Sequence, residues 1–239
     1  MKRALVTGAS GTIGAAIAKK LAASGCHVYL HAHTQLEKAA ALATEIVDAG
    51  MCAQVVGFDI TNPEEARAAL EKTLVSGPIQ VLVNNAGIHD DAVMPGMRPE
   101  QWARVINVSL NGFFNVTQPL LLPMIRTRWG RIVNISSVAA VMGNHGQVNY
   151  SAAKAGLHGA TRTLCLELAS RGITVNTVAP GIIASPATVE LFPKEILTKL
   201  VPMQRAGTPE EVAELVGFLT SEKAAYISGQ LVNINGGMA

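Results

Sequence analysis

Short aliphatic or β-branched runs alternate along the chain with longer Ala-rich stretches whose apolar residues recur at helical spacing. The runs Ala4–Thr7, Val28–His31, Ala53–Phe58, Val81–Asn84, Arg131–Ser136, Thr174–Ala179 and Leu231–Ile234 read as strands. Ile13–Ser24, Leu36–Ala49, Pro63–Val75, Pro99–Met124, Tyr150–Ser170 and Pro209–Thr220 read as helices. The strands are apolar almost throughout, as suits strands buried on both faces. Strand–helix alternation of this kind implies parallel strands joined by right-handed crossovers. The predicted fold is a Rossmann-type α/β structure: a doubly wound, mostly parallel sheet of seven strands with helices on both faces, in one domain over residues 1–239. The segment Gly181–Met203, with Pro186, Pro193 and Pro202, breaks the alternation where a crossover belongs. A substrate lid is expected near residues 184–203, overhanging the carboxyl edge where such sheets bind ligands.

Composition narrows the class. Of 239 residues, 49% are hydrophobic and 15% charged, the reverse of a disordered chain. Nineteen Lys and Arg against seventeen Asp and Glu leave +2, too small an excess for a nucleic-acid or anionic-membrane surface. Cys26, Cys52 and Cys165 are scattered and odd in number, which argues against a disulfide framework or a thiolate metal site. The apolar run after Met1-Lys2-Arg3 is too short for a signal-peptide core, and no stretch approaches a membrane span. A cytoplasmic setting is expected, with no nucleic acid, membrane or metal.

Candidate chemistry begins directly after the first strand. Gly8, Ala9, Ser10, Gly11, Thr12, Ile13 and Gly14 form a Gly-rich turn that opens the first helix. Glycine allows the tight turn and lets backbone N–H groups approach a pyrophosphate at the positive end of the helix. The acid that usually bonds the ribose 2′-OH about 20 residues on is missing from Val28–Gln35. A 2′-phosphate is therefore not repelled, and His33 and Thr34 have groups to donate to it. NADP(H) is the expected cofactor. His31 and His33 also read as ordinary solvated histidines at a strand end.

Tyr150 and Lys154 stand four apart on a predicted helix, hence on one face. An ammonium beside a phenol favours the phenolate; moving a Tyr pKa from 10 to about 7 takes about 4 kcal/mol. A Tyr so tuned can exchange a proton with a carbonyl oxygen near neutral pH.

With these residues in view, the chain resembles the short-chain dehydrogenase/reductase family over essentially its whole length. The Gly8–Gly14 loop looks like that family's cofactor fingerprint, and Asn84-Asn85-Ala86-Gly87 like its motif after the fourth strand. Ser137, thirteen residues before Tyr150, completes the catalytic motif with Lys154, and Asn107 matches the fourth catalytic member. The resemblance implies Tyr150 as proton donor, with Lys154 bonding the nicotinamide ribose and lowering the Tyr150 pKa. It implies Ser137 on the substrate oxygen, and Asn107 bending its helix and anchoring a water of the proton relay. Asp59 and Ile60 would hold adenine, and Asn85, Ala86 and Gly87 the adenine ribose side. Pro180 and Gly181 would form the turn beside the nicotinamide, with Ile183 and Ser185 bonding its carboxamide or the pyrophosphate.

Within the family, Met142–Tyr150, Ala169–Asn176 and Tyr226–Met238 resemble the 3-oxoacyl-acyl-carrier-protein reductases. That likeness implies docking of an acidic acyl carrier protein on Arg128 and Arg171 beside the active-site mouth, and a homotetramer. Phe113, Phe114, Leu157 and Leu164 would bury the two long helices against a two-fold mate. Thr12 stands where the family has Gly or Ala, Gly11 where NADP-preferring relatives carry a basic residue, and Ser185 where the subfamily has Thr. These departures point to a specialised acyl chain. The competing readings are a reductase of acyl-CoA or a small free ketone, and a non-catalytic dinucleotide-sensing protein.

Overall fold

The computed structural model describes the backbone of residues 1–239 and every side chain except those of Ala187 and Val189. Seven strands follow one another as β1 Arg3–Val6, β2 His27–Ala32, β3 Cys52–Gly57, β4 Val81–Asn84, β5 Gly130–Ile135, β6 Ile173–Pro180 and β7 Leu231–Ile234. They hydrogen-bond in the order β3-β2-β1-β4-β5-β6-β7, and every pairing is parallel. The chain winds one way from β1 to β3 and the other way from β4 to β7. The reversal between β1 and β4 opens a crevice at the carboxyl edge.

Residue alternation sorts the core into two layers. Ala4, Val6, Val28 and Leu30 face helices α1 Thr12–Ala23, α2 Leu36–Asp48 and α10 Pro209–Leu219. Leu5, Tyr29, Leu82 and Ile132 face α3 Pro63–Leu74, α5 Gly112–Thr127 and α7 Val148–Leu168. Both layers are tightly enclosed: Ile17, Leu30, Leu82 and Leu120 are all fully buried.

The long helix read from Pro99 to Met124 is not continuous. It runs as α4 Pro99–Ile106, a π-helical segment Asn107–Asn111, and then α5. Single-turn π segments recur at functional sites because they re-aim side chains. A short α6 Ala139–Met142 follows β5. After β6, the expected lid region holds two short helices, α8 Pro186–Leu191 and α9 Lys194–Leu200. The side chains of Ala187 and Val189 within it lie outside the described residues.

Candidate active site

The glycine loop leaves the end of β1 and is held from three sides. Thr7, buried, accepts hydrogen bonds at Oγ1 from the backbone N–H of Asn85 and Ala86. The Asn85 amide donates to the carbonyls of Thr7 and Gly8. Gly8 has φ +64, and a Cβ on it would sit 3.0 Å from the Ala86 Cα, so only glycine fits between the two loops. Gly11 caps α1 without a side-chain acceptor, and no acid stands in the first turn. The N-terminus of α1 thus presents bare N–H groups and partial positive charge, a cradle that fits a pyrophosphate.

His31 is not a solvated strand-end residue. It is buried, and its Nε2 lies 3.0 Å from the Phe58 carbonyl while Nδ1 accepts from the Gly8 N–H at 3.2 Å. That pairing makes Nε2 the protonated nitrogen. Burial pushes its pKa down to about 4, so the ring is neutral at physiological pH. His31 therefore ties the glycine loop to the end of β3. His33 and Thr34, two and three residues on, are exposed beside the loop, while Ala32 is buried. Asp59 accepts from the Thr61 N–H and hydroxyl. Burial pushes the Asp59 pKa up, but the Thr61 bonds outweigh that and hold the carboxylate below its ordinary range. Ile60 packs on Gly112, and its carbonyl accepts from Asn115.

Tyr150 and Lys154 sit one turn apart on α7, facing the end of β5. A chain of buried polar side chains fixes α7 there: Asn84 donates to Thr117 and Asn134, Asn134 donates to Thr161, and Thr161 meets Thr177 at 2.7 Å. The Ser136 hydroxyl adds a bond to the Lys154 carbonyl. None of these residues was singled out for this role from the sequence; an Asn inside an otherwise apolar strand was the available signal. Lys154 is 3% exposed, and its Nζ donates to the Ile135 carbonyl at 2.8 Å. Desolvation pulls its pKa down to about 8.

The Tyr150 phenol does not follow the expected direction. Nζ lies 5.8 Å from the centre of its ring. Burial dominates and raises the Tyr150 pKa; the nearby Ser137 hydroxyl opposes it and Asp91 adds to it. The protein groups hold the phenol neutral rather than driving it to phenolate. Ser137 stands at the end of β5, where its Oγ accepts from the Ala139 N–H.

Asn107 does not join this cluster. It is exposed, and its Oδ1 accepts from Asn111 within the π segment. Ser109, two residues on, points inward instead: it is 3% exposed, and its Oγ has no hydrogen-bond partner among the described residues. A Cβ placed on Gly87 would meet Lys154 Nζ at 3.0 Å and Ser109 Oγ at 3.5 Å, so the two side chains converge beside that glycine. Sequence reasoning missed Ser109 because the resemblance put the fourth catalytic member at Asn107; the spacing of four from buried Val105 was the available signal.

Pro180 accepts from the Val138 N–H, and Gly181 donates to Ile234, with Asn235 too close for any side chain at Gly181. Ile183 bridges to Gly207 through its neighbours' backbone, leaving its own N–H without a partner among the described residues. Ser185 is occupied: its hydroxyl caps α8 by accepting from the Thr188 N–H.

Arg128 and Arg171 lie together but away from the mouth. The Arg128 guanidinium donates to the Ser170 carbonyl at 3.2 Å. Each precedes the first residue of its strand by two positions, so both stand at the amino edge of the sheet. Tyr150 lies at the carboxyl edge, the length of β5 away, about 20 Å at 3.3 Å per residue. The expectation that they flank the mouth of their own subunit is not met, because the strand separates them from it.

The described helices include none long and apolar enough to cross a membrane. The sequence model of the short chain dehydrogenases matches residues 2–196. A protein of Aggregatibacter actinomycetemcomitans named 3-oxoacyl-[acyl-carrier-protein] reductase FabG is 44% identical, covering 98% of each chain. One of the same name from Aquifex aeolicus is 47% identical over 99% of this chain and 97% of its own. The nodulation protein G of Rhizobium meliloti is 44% identical over 100% of this chain and 97% of its own.

Proposed function

The chain belongs to the short chain dehydrogenase family, and from that premise we propose that it reduces the 3-oxo group of an acyl chain on acyl carrier protein, with NADPH as reductant. It is an oxidoreductase that uses a nicotinamide dinucleotide. The observation that carries the reading is the convergence of Tyr150, Lys154 and Ser137 at the carboxyl edge, beside an uncapped helix N-terminus.

Residues 8–14 would hold the pyrophosphate, Asp59 and Ile60 the adenine, and Asn85 to Gly87 the adenine ribose. Gly181 and the free N–H of Ile183 suit the nicotinamide carboxamide. When bound, the dinucleotide supplies the hydride. Tyr150, kept neutral by burial, donates its proton to the oxygen of the 3-oxo carbon, and Ser137 steadies that oxygen by hydrogen bonding. Lys154 bonds ribose with the N–H groups that Ile135 leaves free. The relay position expected of Asn107 falls to Ser109, whose unpaired hydroxyl and Lys154 can share a water. Exposed His33 and Thr34, in a strand end that carries no acid of its own, favour the 2′-phosphate, with Asp59 the carboxylate that His33 feels.

Arg128 and Arg171 can serve a carrier protein only at the mouth of another subunit, which ties carrier docking to assembly. Phe114, Leu122 and Leu166 are 62%, 65% and 80% exposed on α5 and α7, an apolar face suited to a homotetramer. The helical pair after β6 is read as the substrate lid, and the fold as one domain acting in the cytoplasm in fatty-acid or specialised acyl synthesis. A panel of acyl-carrier, acyl-CoA and small-ketone substrates with NADPH and NADH, followed by the absorbance of the reduced nicotinamide, tests the reading. The acyl-carrier substrate with NADPH should give the highest kcat/KM. Preference for free ketones would move the assignment to a general carbonyl reductase.

A further inference from the structure

The segment from Gly87 to Ala92 crosses the site and is fixed at several points. Gln147 donates to Asp91 at 2.8 Å, Gln101 to Asp90 at 2.7 Å, and Asn149 to the Asp90 carbonyl at 2.9 Å. The Ala92 N–H donates to the Gly146 carbonyl. This bracing holds the His89 ring against the Tyr150 ring, with centroids 4.3 Å apart and planes tilted by 37°. Gln147 approaches His89 Nδ1 with its amide nitrogen, 3.5 Å away. Nδ1 is then the acceptor and Nε2 carries the proton. Nε2 has no partner among the described residues, and the residue is exposed. The other amides nearby are committed: Asn144 donates to Gln147, and Asn149 to Asp90 and Gln101. His89 thus offers a spare, rigidly placed N–H donor one ring away from the reacting hydroxyl.

We infer that His89 is a specificity-determining residue whose Nε2–H bonds the second carbonyl oxygen of the substrate, the thioester oxygen two carbons from the reacting ketone. The inference rests on the reductase reading above and adds to it a preference for 1,3-dicarbonyl substrates. Holding both oxygens orients the 3-oxo carbon, because a 3-oxoacyl group gripped at one oxygen alone can still rotate about it. A neutral donor suits the role. The residue is exposed at its edge, but its ring packed against Tyr150 is partly desolvated. That desolvation lowers the His89 pKa, Asp91 opposes it and Lys154 reinforces it, with Tyr150 and Asp90 also beside it.

The test separates the donor from the ring. The probe is the acetoacetyl thioester of N-acetylcysteamine, with His89→Phe and His89→Gln compared against wild type. Phe keeps the ring packed on Tyr150 and loses the N–H; Gln loses the ring and keeps an N–H. His89→Phe should raise KM about tenfold, the scale of one lost hydrogen bond, with kcat within threefold and NADPH affinity unchanged. His89→Gln should recover most of the loss. The reverse order, with Phe near wild type and Gln impaired, would make His89 a packing residue and overturn the inference. Two variants alike wild type would overturn it as well. A wild-type enzyme inert toward the thioester would remove the reductase reading, and this inference with it.

Discussion

The two edges of the sheet bury cations in opposite ways. At the amino edge, Arg131 is 2% exposed and fully engaged: its guanidinium donates to the carbonyls of Gly130, Gly172 and Ser221, reaches Glu222, and stacks 4.4 Å from the Trp129 ring. Lys2 completes the group, 2.6 Å from Glu222 and over the same indole. At the carboxyl edge, Lys154 is as deeply buried and has one protein acceptor, while Ser109 has none among the described residues. The same chain satisfies one cation and leaves the other short. A buried donor without partners costs about 1–3 kcal/mol. Unpartnered groups also occur at the amino edge, Arg3 Nε, His27 Nε2 and Trp129 Nε1 among them, so what distinguishes the carboxyl edge is a buried cation with a single acceptor beside Tyr150.

The sharpest break in that comparison is Tyr150→Phe. Packing survives, so urea unfolding should be unchanged, while kcat should fall by about 10² to 10⁴ if Tyr150 is the proton donor proposed above. Wild-type turnover in that variant would revive the dinucleotide-sensing reading.

Lys154→Met should abolish turnover and yet raise stability. The ordinary pKa of 10.5 falls to about 8 in the fold, a burial cost of about 3 kcal/mol. Below pH 8 both folded and unfolded states are protonated and the cost is complete. Between pH 8 and 10.5 the folded state sheds the proton first and the cost fades. The variant's advantage in urea should therefore be largest at pH 7 and shrink by pH 10. A destabilised variant at pH 7 would place Lys154 with Arg131 as a structural cation.

His31 sharpens the contrast through acid. Its pKa is about 4 in the fold against an ordinary 6.5, so its contribution is complete above pH 6.5 and lost as pH falls through 4. That amounts to about 3 kcal/mol. Unfolding midpoints in urea should drop over this window in wild type and drop less in His31→Asn.

Arg131→Met should go the other way from Lys154→Met, losing about 2 kcal/mol as its carbonyl partners are left unbonded. Activity per folded molecule should be retained. Equal responses of the two cations would erase the distinction between the edges.

Much of this was legible in the chain. The strands and most helices stand within two residues of their expected bounds, because burial on both faces writes itself as unbroken aliphatic runs. The Gly8–Gly14 turn and the Tyr150–Lys154 pair are local: a tight turn at a helix start and two residues one turn apart need only short-range geometry. Other readings failed for a physical reason. Two residues on a helix are about 200° apart, so a shift of phase exchanges inside for outside. Asn107 and Ser109 are such a pair: Ser109 lies four residues after buried Val105 and so on the inward face beside Lys154, while Asn107 faces solvent.

Sequence alone determined the fold class, the glycine-rich turn and the Tyr–Lys face, since each depends on short-range spacing. The tertiary structure decided which polar groups are left without partners and at which edge the arginines stand. It also decided that Tyr150 is pushed up rather than down. Those outcomes depend on desolvation and on partners far apart in the chain, such as His31 with Gly8 and Phe58, or Lys154 with Ile135. A hydrogen bond made across a sheet leaves no period in the sequence, and neither does one left unmade.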